Sequence, residues 1–124
     1  MKKILIIDDE KDFGFFLKRN LELSGIYSVT VVTNGRDGIN LALRQKPDLI
    51  LLDVIMPEMS GFEVLKTLKA DKSTMTIPVV MLTAVDTEEA KEKALGLYNE
   101  DYIVKPVSIS ELMAKVDSVF SRKV

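Results

Sequence analysis

The chain has 124 residues, of which 47% are hydrophobic and 29% are charged, and this size and balance fit one domain with a continuous core. It contains no cysteine and no histidine, which excludes disulfide bonds, thiolate metal sites and catalysis by histidine. The formal net charge of −2 gives no electrostatic indication of a nucleic-acid partner.

The apolar run near the start of the chain is too short for a secretion signal, because Ile4–Ile7 is followed at once by the acidic Asp8. No run along the sequence approaches the roughly 20 apolar residues that are needed to span a bilayer. We therefore expect a cytoplasmic location and no membrane partner.

Five short apolar runs are spaced along the chain and are predicted to be β-strands. Three of them are apolar throughout, as expected of strands that are covered on both faces. Valine pairs in two of the runs add the β-branched side chains that favour strands. The runs are Ile4–Ile7, Ser28–Thr33, Leu49–Leu52, Val79–Leu82 and Tyr102–Val104.

The first two segments between these runs have the periodicity of amphipathic helices. The first helix is predicted to end near Gly25, and the second is stopped by Pro47. The predicted buried stripe of the first helix is Phe13, Phe16, Leu17 and Leu21. The predicted buried positions of the second helix are Ile39, Ala42 and Leu43.

The later helices are predicted from their start signals. Ser60 and Glu63 have the spacing of a capping box, in which each side chain bonds the other residue's backbone N–H. The same spacing at Asp86–Glu89 and Ser108–Glu111 predicts the starts of a fourth and a fifth helix. The buried stripe of the fifth helix is predicted to be Leu112, Val116, Val119 and Phe120.

Strands and helices therefore alternate in five β-α units. This alternation predicts an α/β fold, a parallel sheet with helices on both faces and right-handed crossovers. We expect residues 1–124 to form one domain, with no residues left for an effector domain. The chain ends at Val124 without a linker, which favours a complete protein, although a domain of a longer regulator could end in the same way.

Polar side chains follow four of the five predicted strands. In an open α/β sheet the carboxyl ends of the strands border the ligand crevice, so we expect these side chains to converge although they are far apart in sequence. They are Asp8 and Asp9 after the first run, Asp53 after the third, Thr83 after the fourth and Lys105 after the fifth.

Three aspartates held close together repel one another, and a divalent cation relieves this repulsion. Oxygen ligands without histidine or cysteine favour Mg²⁺, or Mn²⁺, over zinc. A transferring phosphoryl group needs a carboxylate that is surrounded by positive charge and hydrogen-bond donors. Here these would be a metal ion, the ammonium of Lys105 and the hydroxyl of Thr83. Asp53 is a residue type that accepts such a group as a nucleophile.

These motifs together resemble the receiver domain of bacterial two-component response regulators, and the chain is similar to the single-domain, chemotaxis-type members. The resemblance covers essentially the whole chain, with the motifs in order and suitably spaced. They are Asp8-Asp9, Asp53 with Met56-Pro57 and Gly61, Thr83-Ala84, and Asp101-Tyr102 before Lys105-Pro106.

The resemblance implies a flavodoxin-like fold with strand order 2-1-3-4-5 and a role for each matching residue at the metal. Asp53 would be the phosphoacceptor and a metal ligand. Asp9 would bind Mg²⁺ directly and Asp8 through water. The backbone carbonyl of Ile55 would complete the protein ligands.

Further roles follow from the same resemblance. Lys105 would pair with Asp53 and then with its phosphoryl group, and Pro106 would follow a cis peptide bond. Thr83 would move to hydrogen-bond the phosphoryl oxygen, with Tyr102 turning inward behind it. This shift would remodel the face built from the fourth helix, fifth strand and fifth helix.

The implied partners are those of a phosphorelay. A phosphohistidine on a sensor histidine kinase or a histidine phosphotransfer protein would supply the phosphoryl group. A downstream effector protein or domain would recognise the switched face, without direct nucleic-acid contact by this chain. The protein would be a monomer or a phosphorylation-dependent dimer, and would catalyse only its own phosphorylation and dephosphorylation.

Other interpretations remain open on residue types alone. An aspartyl-phosphate phosphatase would need a second aspartate two residues beyond its nucleophile at the first strand. A flavin-binding module would need a loop rich in serine, threonine and glycine there, where this chain has Asp8-Asp9-Glu10. An inactive receiver could act only as a docking surface.

Single acidic residues also have local interpretations. Asp8 or Asp9 could be a helix N-cap, and Glu10 is interpreted as charge at a helix start.

Overall fold

The computed structural model describes residues 1–83 and 101–121. The strands are β1 (Lys2–Ile7), β2 (Tyr27–Val32), β3 (Leu49–Asp53), β4 (Val79–Thr83) and β5 (Asp101–Val104). The helices are α1 (Lys11–Glu22), α2 (Gly35–Gln45), α3 (Gly61–Ala70) and the C-terminal helix (Ile109–Ser121). The predicted fourth helix, with its start at Asp86–Glu89, lies outside the described residues.

The five strands form one parallel sheet in the order β2-β1-β3-β4-β5. This confirms the predicted α/β fold and its strand order. In the register, Asp53 pairs with Leu82 and Thr83 pairs with Val104. The carboxyl ends of the three strands concerned therefore lie together at one edge of the sheet.

The core consists of two apolar layers, one on each face of the sheet. Ile4 and Ile6 of β1 belong to the layer under α1 and the C-terminal helix, whereas Leu5 and Ile7 belong to the layer under α2 and α3. The neighbouring strand β3 alternates between the layers in the same way and is buried throughout. Covering on both faces explains why these strands are apolar without alternation.

The predicted buried stripe of α1 is wrong at Phe16, which is 46% exposed. Leu17 and Leu21 are buried as predicted, and Gly14 takes the inward position one turn earlier. A Cβ at Gly14 would lie 2.7 Å from a methyl carbon of Val31, so α1 packs closely on β2 at this point. Close packing at Gly14 fixes the inward direction of the helix and leaves Phe16 outside.

Smaller differences occur in the second β-α unit. Leu43 of α2 was predicted to be buried and is exposed, whereas Ala42 beside it is fully buried. Strand β2 begins at Tyr27 and ends at Val32, one residue earlier than the predicted run. Asn34 caps α2 by accepting a hydrogen bond from the Asp37 backbone N–H at 2.9 Å.

The predicted capping box at the start of α3 is confirmed. The Ser60 hydroxyl accepts from the Glu63 backbone N–H, and the Glu63 carboxylate accepts from the Ser60 backbone N–H, each at 3.3 Å. At the C-terminal helix, the Ser108 hydroxyl accepts from the Glu111 backbone N–H at 3.1 Å. These bonds satisfy backbone donors that the first turn of a helix leaves without partners.

Gly61 joins the start of α3 to the end of β3. Its backbone N–H donates to the Val54 carbonyl at 2.8 Å. A Cβ at this position would collide with the carbonyl oxygen of Asp53 and would lie 2.8 Å from the Val54 Cα. Because both obstacles are backbone atoms, only glycine allows α3 to start this close to the strand end.

We expect Gly61→Ala to lower the free energy of unfolding by about 3 kcal/mol or more, since overpacking against rigid backbone is costly. Gly25→Ala is the matched control, because Gly25 has φ +79° but open space around its Cα. The control is expected to cost only about 1–2 kcal/mol, the penalty for a left-handed backbone. Urea unfolding measures both values, and an equal loss in the two variants would contradict the packing explanation.

Candidate functional site

The carboxyl ends of β1 and β3 bring two buried aspartates together. Asp8 continues β1, and its backbone N–H donates to the Val32 carbonyl at 3.1 Å. Asp53 is the last residue of β3, and the N–H of the next residue donates to the Leu82 carbonyl at 2.9 Å. Asp8 is 0% exposed and Asp53 is 4% exposed, so both carboxylates lie within the protein rather than on its surface.

Lys105 places its ammonium between these carboxylates. Its Nζ lies 3.0 Å from Asp8 Oδ2 and 3.4 Å from Asp53 Oδ1. The Phe13 ring lies on another side, with its centroid 4.6 Å from the same nitrogen. The peptide bond between Lys105 and Pro106 is cis, as the resemblance implied.

Glu10 also reaches the ammonium, and the sequence did not indicate this. Its Oε1 accepts a hydrogen bond from Lys105 Nζ at 3.0 Å, across 95 positions of the chain. Glu10 is the N-cap residue of α1, but its side chain makes no capping hydrogen bond. Glu10 does stand at the helix start, as interpreted, but its carboxylate also pairs with Lys105, which that interpretation did not include. The one signal in the sequence was its position directly after Asp8-Asp9, which did not distinguish it from a solvated acid.

The environment of Asp8 combines burial with incomplete hydrogen bonding. Its Oδ1 accepts from the Glu10 backbone N–H at 2.9 Å. Its Oδ2 is buried and, despite the nearby ammonium, has no hydrogen-bond partner in suitable geometry among residues 1–83 and 101–121. Burial raises the pKa of Asp8, although the Glu10 N–H and Lys105 oppose the shift.

The pKa of Asp53 is shifted further than that of Asp8. Burial and the negative charge of Asp8 raise the pKa of Asp53 to about 7, while Lys105 opposes the shift. A hydrogen bond with the Asp9 side chain raises the pKa further. Burial lowers the pKa of Lys105, but its pairs with Glu10, Asp8 and Asp53 outweigh this, so its pKa is above the ordinary value.

The acidic side chains fit a divalent cation. One carboxylate oxygen each from Asp8, Glu10 and Asp53 lies within 4.8 Å of the others, and Asp9 is exposed beside this group. Asp8 Oδ2 is buried and makes no hydrogen bond with the described residues besides its ion pair with Lys105, so it is an oxygen suited to a cation. Hard oxygen donors of this kind suit Mg²⁺ or Mn²⁺.

The remaining predicted site residues are placed by the strands and the following loop. Thr83 is the last residue of β4, and its side chain lies outside what the structure describes. Tyr102 of β5 is partly buried and packs against the layer under α2 and α3, with the Lys115 ammonium 5.7 Å from its ring. Ile55 follows the strand end two residues after Asp53 and has an exposed side chain.

Among the helices in residues 1–83 and 101–121, none has the length and apolar character that a bilayer crossing requires.

Comparison with known proteins identifies the same fold and family. A family model described as the response regulator receiver domain matches residues 4–117. The receiver domain of Francisella response regulator 1452 is 33% identical, with a TM-score of 0.91 and full coverage of both chains. Chemotaxis protein CheY4 of Vibrio cholerae is 28% identical, with a TM-score of 0.90 over 96% of this chain and 98% of that one.

One curated relative is about twice as long as this chain. The alkaline phosphatase synthesis transcriptional regulatory protein PhoP of Bacillus subtilis is 42% identical over 121 residues, which is 98% of this chain but 49% of that protein. The chain thus spans about half the length of the curated relatives it matches first. These matches confirm the resemblance inferred from the motifs, and the chain belongs to the receiver-domain family of two-component response regulators, which are signalling modules of phosphorelays.

Proposed function

We propose that this chain accepts a phosphoryl group on Asp53 in a reaction that requires Mg²⁺. The donor is a phosphohistidine on a sensor histidine kinase or a histidine phosphotransfer protein. Residues 1–124 form one receiver domain for this purpose. The observation that carries the proposal is the buried Asp53 carboxylate at a strand end, 3.4 Å from the ammonium of Lys105 and close to a second buried aspartate.

The transfer has a simple balance of bonds. One carboxylate oxygen of Asp53 forms a bond to phosphorus, while the bond from phosphorus to the donor's imidazole nitrogen breaks. The imidazole keeps the electron pair and takes up a proton. The Lys105 ammonium offsets the charge of the phosphoryl oxygens during this step. The chain has no histidine, so the donor is a residue of another chain or segment.

We propose that Mg²⁺ is held by Asp8, Asp9 and Asp53 and by the backbone carbonyl of Ile55. Mn²⁺ is an alternative ion. The bound ion supplies positive charge that offsets the clustered carboxylates and the phosphoryl oxygens. The support for this ligand set is the buried Asp8 Oδ2 without a hydrogen bond, the short separation of Asp8 and Asp53 and the oxygen-only donors.

The charge state of Asp53 supports the proposed requirement for a cation. With a pKa of about 7, part of the population carries a proton on Asp53 at neutral pH in the absence of metal. Only the carboxylate is a nucleophile, and a protonated Asp53 would also be a poor metal ligand. Positive charge near Asp53 lowers its pKa and therefore increases the reactive fraction.

The output of phosphorylation is proposed to be a change on one face of the domain. Thr83 and Tyr102 are the proposed switch residues, and the proposed face includes β5 and the C-terminal helix, together with the predicted fourth helix, which lies outside the described residues. A downstream effector protein or domain recognises this face, and the chain itself makes no nucleic-acid or membrane contact. The domain is cytoplasmic, is a monomer or a phosphorylation-dependent dimer, and turns over no substrate besides its own phosphoryl group.

Incubation with Mg²⁺ and phosphoramidate is expected to add one phosphoryl group to the wild type, and intact-mass spectrometry measures the addition. Asp53→Ala is expected to show no addition, because the nucleophile is absent. Asp48→Ala, which removes an aspartate far from the site, is expected to react as the wild type does. Addition to Asp53→Ala at the wild-type rate, or no change on removal of Mg²⁺, would contradict the proposal.

Without metal, the free energy of unfolding of the wild type is expected to decrease as the pH rises from about 5 to about 8. Asp53 binds its proton more tightly in the folded chain, with a pKa of about 7, than in the unfolded chain, so this stabilisation is complete below about pH 4 and is lost through pH 7. Asp53→Asn is expected to flatten this dependence and to be the more stable protein at pH 8.

Thermal unfolding in a chelating buffer at several pH values measures this effect. Asp48→Asn serves as the control for a change of one charge away from the site. Parallel pH profiles for the wild type and Asp53→Asn would show that Asp53 does not titrate in this range.

A further inference from the structure

Among the residues that the structure describes, the Lys105 ammonium has three carboxylate neighbours, and they differ in how firmly they are held. Asp8 and Asp53 are buried at strand ends, and Asp8 is further fixed by the hydrogen bond from the Glu10 backbone N–H. The Glu10 side chain is 64% exposed and is not used to cap α1. Glu10 is therefore the neighbour that can leave the ammonium for water at little cost.

Glu10 also makes one of the closest contacts. Its Oε1 lies 3.0 Å from Lys105 Nζ in hydrogen-bonding geometry, whereas Asp53 Oδ1 lies 3.4 Å away. The Phe13 ring occupies another side of the same ammonium. Lys105 is thus held between residues of the β1–α1 junction and the buried aspartates before any phosphoryl group arrives.

A phosphoryl group on Asp53 brings further negative charge to this position. It needs the ammonium as its counter-charge, and the Glu10 carboxylate occupies the same donor. Like charges near one cation repel, and the exposed member of the set is the one that can be rehydrated. The phosphoryl group can therefore replace Glu10 as the partner of the Lys105 ammonium without movement of buried residues.

We propose that Glu10 is a positioning residue that holds the Lys105 ammonium in the unphosphorylated protein and is displaced from it by the incoming phosphoryl group. This inference rests on the proposed function of Asp53. It follows that Glu10 keeps Lys105 in place at the site but weakens the binding of phosphoryl-like anions. Removing its charge favours the bound state.

The test uses fluoroberyllate, a phosphoryl mimic, titrated in the presence of saturating Mg²⁺ and followed by NMR. Glu10→Gln is expected to lower the half-saturating concentration by about three- to fivefold, the size expected for an ion pair with one exposed partner. Glu10→Asp keeps the charge and is expected to stay within about twofold of the wild type. High salt is expected to reduce the advantage of Glu10→Gln, because the exposed charge is screened.

Asp12→Asn is the matched control. Asp12 is an exposed acid in the first turn of α1, so this variant makes the same change in net charge two positions away. It is expected to change the half-saturating concentration by less than about twofold. The Mg²⁺ dissociation constant of each variant, measured by calorimetry, separates effects on the ammonium from effects on the cation.

Three results would overturn the inference. If Glu10→Gln matches Asp12→Asn while the wild type binds fluoroberyllate, the displacement of Glu10 is refuted and the proposed function stands. If Glu10→Gln weakens Mg²⁺ binding by about tenfold and Asp12→Asn does not, Glu10 supports the cation, as a ligand or through one, instead of competing with the phosphoryl group. If the wild type binds no fluoroberyllate and takes up no phosphoryl group, the proposed function fails and this inference fails with it.

Discussion

The burial of Asp8 and Asp53 beside the Lys105 ammonium is the constraint on which the rest of the structure depends. Two carboxylates with almost no solvent exposure lose hydration and repel each other, which costs free energy that an apolar pair would not. The ammonium offsets part of this cost, and a divalent cation can offset more. The clustered carboxylates therefore destabilise the site in the absence of a further cation, and this negative charge is what supports the proposed binding of Mg²⁺.

The elements around the site hold these groups in place from several directions. Strand β3 is buried on both faces, so Asp53 projects from a rigid strand rather than from a loop. Gly61 lets α3 begin directly against the backbone of that strand end. The β1–α1 junction contributes Glu10 and Phe13 to the surroundings of Lys105. Residues near the start of the chain and Asp53 in its middle thus fix the Lys105 ammonium near its end.

Sequence periodicity predicted the elements of the fold more accurately than the direction of their buried faces. The apolar runs and the capping residues Ser60 and Glu63 indicated strands and a helix start, because these depend on neighbours within a few positions. Periodicity did not determine which face of α1 is buried, since Phe16 fits the same periodic stripe as Leu17 and yet is exposed. The close approach at Gly14 decided the rotation of that helix, and this contact involves another strand.

The sequence by itself determined the number and type of the described elements, the parallel sheet and the set of polar residues at the strand ends, because alternation and spacing are local properties that one chain displays in order. It also identified Asp53 and Lys105 as partners through the resemblance. Only the tertiary structure decided that Glu10 shares the ammonium of Lys105 across 95 positions, and that burial raises the pKa of Asp53 to about 7. Those properties depend on distances and solvent exposure, which the packing of distant segments sets and no local pattern encodes.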